Sequence, residues 1–404
     1  MNETLDVAVV GGGPAGLAAA MSAKRYGAKR VTVLERESVA GGIPRHCSHS
    51  PFGMREFNRV LWGPAYARRL VSQALADGVG IRTNVTVVKL KPEGGLVIAT
   101  QEGLREIAAR RVILATGIRE TPRAPRLVSG DRPLGILTTG ALQCFTHVEG
   151  LQPFRRPVIV GSELVAFSAL LTARTAGIRP VAMIEPGSRA VARWPSALLP
   201  RLLGVDLLLD TRLIEIIGPE RVEAVLVATP RGERLLACDG VLFTGEFTPA
   251  AELVRQSHLK LDERSGGPVI DQFGRCSDPA FFAAGNLLRP VETAGWCWAE
   301  GARVGRDVVR DLAGSLPQAE HGISISAVAP VKFVVPQRLV AGGSEAGALQ
   351  LRVTRPVRGY LKLSGEGMTP IARRIATRPE RRILLPLGDI ALPMSGIRID
   401  IEEA

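Results

Sequence analysis

The segment from Leu5 to Glu35, LDVAVVGGGPAGLAAAMSAKRYGAKRVTVLE, constrains this chain more than any other. An apolar run, Val7 to Val10, breaks into Gly11, Gly12 and Gly13, passes Pro14, Ala15 and Gly16, and opens a small-residue stretch ending near Gly27. A second run, Arg30 to Leu34, delivers Glu35, 24 residues after Gly11. Strand, glycine turn, helix, strand and acid in this order form the dinucleotide-binding pattern. Gly11 permits a tight turn out of the strand, Gly13 leaves room for backbone to approach a pyrophosphate, and Gly16 lets helix and strand pack closely. The helix N-terminus offers unpaired N–H groups and the positive end of its dipole to phosphate charge. Glu35 is placed to accept hydrogen bonds from both hydroxyls of an adenosine ribose, and Arg36 beside it is counted in the same site. A glycine-rich turn in an ordinary α/β protein is the competing interpretation, opposed by the presence of all five elements. A signal-peptide or membrane reading of Leu5 to Ala23 is opposed by the consecutive glycines, Pro14 and the missing basic leader.

At 404 residues there is room for two or three domains. A hydrophobic content of 46% with 22% charged residues describes a soluble globular protein with a sizeable core. No uninterrupted apolar stretch reaches about 18 residues, so no integral membrane segment and a cytoplasmic location are expected. The five cysteines, Cys47, Cys144, Cys238, Cys276 and Cys297, contain no CxxC pair. That spacing argues against a cysteine-ligated iron–sulfur cluster within the chain and provides no disulfide framework. The net charge of +12 raises the question of a nucleic-acid partner. The basic residues are spread along the chain, arginine outnumbers lysine 44 to 7, and aromatics at 4% supply no stacking platform. No nucleic acid is therefore expected; the charge reads as an arginine bias, and attraction for an acidic partner subunit or for anionic substrates is a secondary inference.

A second glycine pair, Gly41 and Gly42, suggests another close passage of backbone beside a ligand. It is followed by Ile43, Pro44, Arg45, His46, Cys47, Ser48 and His49. Three potential metal ligands within four residues cannot all reach one ion without strain, and no partner cluster exists elsewhere, so no metal is expected. A redox or flavin-facing role for Cys47 and the histidines and a plain polar loop both remain open. From Met54 to Ala76 the spacing of Phe57, Val60, Leu61, Tyr66, Leu70 and Val71 predicts helix, broken at Gly63 and Pro64. Strand-like runs over Ile81 to Leu90 and Leu96 to Thr100 lead into Arg111 to Leu114 and then Ala115, Thr116 and Gly117.

The opening fingerprint together with ILATG resembles the two-dinucleotide-binding-domain flavoproteins, the superfamily of pyridine-nucleotide disulfide reductases and their relatives. The resemblance implies that the first fingerprint binds FAD and that Ala115 to Gly117 mark the crossing toward a second nucleotide-binding domain. RPVIVGSELV, Arg156 to Val165, is again a strand and glycine turn; an apolar helix through Ala176 follows, and a strand from Pro180 to Ile184 ends in Glu185. VLFTGEFTP, Val241 to Pro249, resembles the exit strand of that domain, and DPAFFAAGN, Asp278 to Asn286, with Glu292 to Gly305 resembles the return to the flavin. By this resemblance Gly11, Gly13, Gly16 and Glu35 match the pyrophosphate and ribose positions, and Gly41 and Gly42 the loop approaching the cofactor. Gly285 and Asn286 match a motif that normally ends in Gly-Asp, where the acid bonds the ribityl or phosphate part of FAD. Thr293, Ala294, Gly295 and Trp296 match the helix start whose N–H groups face the flavin pyrimidine edge. His46, Cys47, His49, Trp296 and Cys297 are the candidates for chemistry near the flavin.

Two departures bear on function. The second turn reads Gly161, Ser162, Glu163, Leu164, with a glutamate where the fingerprint has its second glycine, which puts NAD(P) binding in doubt and allows Glu185 to be a surface residue. Cys47 has no second cysteine four or five residues on, and no histidine follows His321, so disulfide reduction is not expected. GGIPRHCSHSPFGMREF with VETAGWCWAEG is similar to nucleotide-binding subunits of multi-subunit dehydrogenases for opines, hydroxyproline or other amines, and to flavoproteins accompanying glycerol-3-phosphate dehydrogenases. After Pro317 the chain alternates in β-like runs, Val331 to Val335, Leu349 to Val353, Gly359 to Leu363, Arg382 to Leu387 and Gly396 to Ile401, read as a packing or assembly module.

The expected fold is therefore α/β, with two Rossmann-like dinucleotide-binding domains, the second inserted in the first, plus a small C-terminal all-β domain. The expected boundaries are 1–118 with 248–316, 119–247 and 323–404. The expected function is an FAD-dependent oxidoreductase acting on a small-molecule substrate, a subunit passing electrons to a companion dehydrogenase chain. A homo-oligomer, a self-contained NAD(P)H-dependent flavin oxidoreductase and a non-catalytic nucleotide-binding scaffold are the alternatives.

Overall fold

The computed structural model describes residues 4–192, 196–319, 322–341, 347–390 and 395–403. The apolar run after the N-terminus forms β1 (Leu5–Val10), and the glycine turn leads into α1 (Pro14–Arg25) and β2 (Val31–Leu34). Pro14 suits the first turn of α1, where its missing N–H costs no bond, and Lys24 and Arg25 complement the negative end of the helix dipole. The region expected as a once-broken helix is a short turn of helix, Met54–Phe57, and a separate α2 (Gly63–Ala76). Asn58 ends the first piece in a left-handed conformation, φ 50°.

The expected run over residues 81–90 is two strands, β3 (Gly80–Arg82) and β4 (Thr86–Lys91), followed by β5 (Gly95–Thr100) and β6 (Gly103–Leu114). Next come β7 (Ile136–Thr138), α3 (Thr139–His147), β8 (Pro157–Val160), α4 (Leu164–Thr175), β9 (Ala182–Ile184) and β10 (Asp206–Leu208). An antiparallel meander, β11 (Arg212–Ile217), β12 (Ala224–Thr229) and β13 (Gly232–Ala237), precedes β14 (Gly240–Phe243). The chain continues into β15 (Phe281–Ala283) and the long helix α5 (Ala294–Leu312).

The two halves repeat one design. In the first, β3, β2, β1, β6 and β15 lie side by side, all parallel, with β4 and β5 extending β6 as an antiparallel meander. In the second, β10, β9, β8, β14 and β7 lie side by side, again all parallel. Central strands of parallel sheets are covered on both faces, and β1 and β8 are accordingly buried almost throughout. The chain divides into two compact units, residues 1–42, 67–118 and 249–404 in one and residues 43–66 and 119–248 in the other. The segment carrying His46, Cys47 and His49 thus groups with the second unit.

The C-terminal segment adds β16 (Gly322–Ala327), β17 (Val331–Val335), β18 (Arg338–Val340), β19 (Ala348–Val353), β20 (Val357–Ser364), β21 (Ile371–Thr377), β22 (Ile383–Pro386) and β23 (Ile397–Glu403). They form one five-stranded and one three-stranded sheet around an aliphatic core containing Leu349, Leu351, Leu361, Leu363 and Ile399. Each of the five β-like runs read from the sequence falls on a strand, whereas β16, β18 and β21 were not anticipated. Phe333 and Val335 join the core of the first unit alongside Leu5, Val112 and Phe281, so the β segment is packed onto that unit.

In the first unit α5 lies against α1 through glycine. A Cβ on Gly301 would fall 2.0 Å from the Ala15 carbonyl oxygen, and one on Gly305 2.1 Å from that of Ala19. Backbone contact this close sets the start of α1 against α5 about two turns in from Ala294, with the two helices running in the same direction.

Candidate functional site

At the first turn, Gly11 adopts φ +106°, and a Cβ there would lie 2.5 Å from the Ala115 carbonyl oxygen. A Cβ on Gly16 would lie 1.9 Å from the Gly11 carbonyl oxygen. Both glycines are requirements of folding. Gly13 differs: its φ of −81° suits any residue, and the nearest atom to an added Cβ is Gly42 Cα, 3.9 Å away. Its missing side chain leaves an open cradle at the N-terminus of α1. Pro14 has no N–H, so the first-turn donors with no intrahelical acceptor include those of Ala15 and Gly16. Gly41 donates its N–H to the Gly12 carbonyl at 2.8 Å, and a Cβ on Gly42 would come within 2.8 Å of Gly13 Cα. The 41–42 loop thus borders the cradle.

Glu35 is buried at the end of β2, where Oε2 accepts the Gly12 N–H at 2.8 Å and Oε1 accepts the Glu37 N–H at 2.9 Å. Each oxygen keeps a further lone pair, which is what a ribose hydroxyl needs. Arg36 is exposed, with its guanidinium 3.4 Å from the Glu37 carboxylate. Ala115 donates to the Val10 carbonyl at 2.9 Å, Thr116 Oγ1 donates to the Ala250 carbonyl at 2.8 Å, and the Gly117 carbonyl accepts the Ala250 N–H at 2.9 Å. The ATG segment therefore ties the outgoing chain to the returning one.

On the return, Gly285 (φ +76°) touches α1: a Cβ there would be 2.7 Å from Ala15 Cβ. Its N–H donates to Glu300 Oε2 at 2.9 Å, and Glu300 receives both ends of the buried Arg289 guanidinium at 2.9 and 3.0 Å. The Asn286 carboxamide, expected to reach the cofactor, closes on its own loop: Nδ2 donates to the Glu292 carbonyl at 3.0 Å and Oδ1 accepts the Glu292 N–H at 2.7 Å. Thr293 is the N-cap residue of α5, leaving the N–H groups of Ala294 and Gly295 without intrahelical acceptors. Trp296 is half-exposed in this turn, with the Arg382 guanidinium 3.8 Å from its ring centroid. Open cradle, buried ribose acid and the first-turn N–H groups of α1, with Gly285 of the return segment against Ala15, together fit a dinucleotide such as FAD.

The candidates for chemistry are less concentrated than their sequence spacing suggests. Cys297 is buried, its thiol directed at the Glu292 carbonyl 3.8 Å away, and burial pushes its pKa up to about 12. In the second unit Cys47 faces Gln143 Oε1 and the Ile43 carbonyl, each at 3.5 Å, and burial, with the Glu120 charge adding to it, also raises its thiol to about 12. Neither sulfur has the electropositive, partly exposed surroundings of a reactive thiolate. His49 Nε2 pairs with Ser168 Oγ at 2.6 Å, and burial lowers its pKa. His46 Nε2 lies 3.3 Å from an Arg45 guanidinium nitrogen. The three residues turn to three different partners. Among the described residues no group of His, Cys, Asp or Glu could hold a metal ion.

The second turn echoes the first with its cradle filled. A Cβ on Gly161 would lie 2.8 Å from Glu163 Oε2, and one on Gly245 2.3 Å from Glu163 Oε1. The glutamate side chain therefore folds back over both glycines. Oε1 is buried without a hydrogen-bond partner among the described residues, and burial raises the Glu163 pKa. Glu120 nearby is raised in the same way, while it accepts the N–H groups of Gly140 at 2.8 Å and Gly245 at 3.2 Å. Glu185 is not a surface residue: it is buried, accepting the Ser162 hydroxyl and the Gly187 N–H, the latter at 2.9 Å. Its posture repeats that of Glu35, with Ser162 standing where Gly12 stands.

The profile of the pyridine nucleotide-disulphide oxidoreductase family matches residues 5–301. The chain belongs to this family. Relatives include the opine oxidase A subunit of Agrobacterium tumefaciens (strain Ach5), 29% identical over 318 residues, covering 71% of this chain and 62% of that protein. The alpha subunit of sarcosine oxidase from Rhizobium meliloti (strain 1021) is 27% identical over 356 residues, covering 79% of this chain and 32% of that one. The chain thus spans under two thirds of the length of these relatives. Among solved structures, thioredoxin reductase of T. acidophilum superposes with a TM-score of 0.63 at 23% identity, covering 77% of this chain and 99% of that one. The fold is the α/β arrangement of this family, with two Rossmann-like sheets and additional β sheets.

Sequence reasoning missed Arg289, Glu300, Gly301 and Gly305, which build the return segment, and Gln350, Arg352 and Arg382 from the β segment. Their one legible signal was the spacing of Gly301 and Gly305 along a helix, four residues apart on one face.

Proposed function

We propose that this chain binds FAD at its first turn and serves as the FAD-carrying subunit of a multi-component oxidoreductase, passing electrons from a small-molecule substrate to a companion chain. The contrast between the two turns carries the reading: the cradle at Gly13 is open, and its counterpart is filled by Glu163. The chain's own contributions would be the Ala15 and Gly16 N–H groups toward the pyrophosphate, the Glu35 carboxylate toward the ribose, and the Ala294 and Gly295 N–H groups toward the flavin. The last two favour negative charge at that edge. Bound flavin supplies the acceptance and release of electrons.

NAD(P)H is then not the electron donor, because Glu163 takes the space a pyrophosphate needs. Two relatives whose names mark them as parts of oxidases support a companion chain and an amine substrate of that kind. Anaerobic addition of NADH or NADPH to the FAD-loaded protein should leave the flavin oxidised. Rapid bleaching would instead support a self-contained NAD(P)H-dependent enzyme, the reading that the buried, Glu35-like posture of Glu185 favours.

A further inference from the structure

The polar face of β19 does not meet solvent. Gln350 is 6% exposed, and it and Arg352 point at one carboxylate, that of Glu292, in the loop leading into α5. Glu292 Oε1 accepts Gln350 Nε2 at 2.5 Å and Arg352 Nη2 at 3.1 Å, and Oε2 accepts Arg382 Nη1 at 2.6 Å. Arg352 also donates to the Val291 carbonyl at 2.7 Å. The Glu292 side chain is 8% exposed, so these are charge-assisted bonds in poor contact with water. The backbone of the same residue holds the Asn286 carboxamide and receives the Cys297 thiol. Arg382, after binding Glu292, lays its guanidinium over Trp296, so one side chain from the β segment fixes both the loop and the first turn of α5.

Resting on the FAD reading above, we infer that the C-terminal β segment is a positioning element for the cofactor: Arg352 and Arg382, through Glu292 and Trp296, set the place and the charge of the turn that meets the flavin. The segment thereby gains a role beyond packing. Glu292, Arg352 and Arg382 are positioning residues that act through the Ala294 and Gly295 N–H groups.

The charges in the cluster give the test a sign. Arg382→Ala leaves the Glu292 carboxylate less compensated, which disfavours electron uptake nearby, so the midpoint potential of bound flavin should move negative. Glu292→Gln removes the anion and leaves two guanidinium groups, so the potential should move positive. Both variants lose a charge-assisted anchor and should bind FAD about tenfold more weakly. Arg382→Lys, which keeps the charge, should restore most of the wild-type potential. Thermal unfolding of each apoprotein checks that the fold survives; if Arg382→Ala does not fold, Glu292→Gln and Arg382→Lys still give distinct predictions, a positive shift against a potential close to wild type. Potentials that move in the same direction in both variants, or stay at the wild-type value with FAD bound, overturn the inference and leave the FAD reading standing. A wild-type chain that takes up no FAD overturns both.

Discussion

Gly13→Ala separates what the first turn needs to fold from what it needs to bind. The φ of −81° suits alanine, and the new methyl would touch only Gly42 Cα at 3.9 Å. Replacing glycine at a compatible position lowers the entropy of the unfolded chain, so the apoprotein should be unchanged or more stable by about 0.4–1 kcal/mol. The methyl enters the cradle. A phosphate oxygen bonding the first-turn N–H groups must approach to about 2.9 Å, and a carbon in its path pushes it out by several tenths of an ångström. Hydrogen bonds to a charged group contribute roughly 1.5–3 kcal/mol each, and losing one corresponds to an FAD affinity about 10- to 100-fold weaker. Titrating apoprotein with FAD by flavin fluorescence, alongside urea unfolding without FAD, measures both quantities. Gly11→Ala is the contrasting variant: its methyl meets the Ala115 carbonyl oxygen at 2.5 Å in a backbone of φ +106°, so it should lose stability outright. Wild-type FAD affinity in Gly13→Ala, or an apoprotein destabilised as much as Gly11→Ala, refutes the assignment of Gly13 to the cofactor.

Gly301→Ala forces α1 and α5 apart by more than about 1 Å, since its methyl would lie 2.0 Å from the Ala15 carbonyl oxygen. Overpacking of this kind costs about 1–3 kcal/mol, and unfolding stability and FAD affinity should fall together because the start of α1 moves. Burial raises the pKa of Glu163 and Glu120, so the folded chain keeps protons that the unfolded chain releases above the ordinary glutamate value of about 4.3. Their contribution is fully present below that pH and is lost as pH rises through the folded-state values. Glu163→Gln should therefore show a smaller fall in Tm than wild type between about pH 5 and pH 8; an identical slope contradicts the buried, protonated carboxyl. Cys47, Cys238, Cys276 and Cys297 are buried with thiols raised by desolvation, whereas Cys144 is partly exposed. Native alkylation followed by peptide mapping should label Cys144 and spare the other four, and rapid labelling of Cys47 or Cys297 would restore it as a candidate for chemistry.

The parts of the site that were legible in sequence are those written in neighbouring residues. The turn from Gly11 to Gly16, the acid at Glu35 and the ATG segment follow from steric limits on backbone and from strand and helix periodicity, which act locally. Burial of Glu185 was not legible, because it depends on a hydroxyl at Ser162, on a different strand–turn junction. Proximity alone does not decide a shared role: His46, Cys47 and His49 sit within four residues, yet a chain in a tight loop points successive side chains apart, and each has its own partner. Glu292 and Arg382 are 90 residues apart, and nothing local marks them as a pair. The strand β21, IARRIAT, hides its period under exposed arginines, which suits an edge strand protected by charge.

The central claim is that the N-terminal cradle is an FAD site, and cofactor content tests it most directly. Purified full-length chain, stripped of bound cofactor and titrated with FAD, should take up FAD in equimolar amount and display the visible absorption of a protein-bound flavin. A folded chain that gains no such absorption on addition of excess FAD contradicts the account.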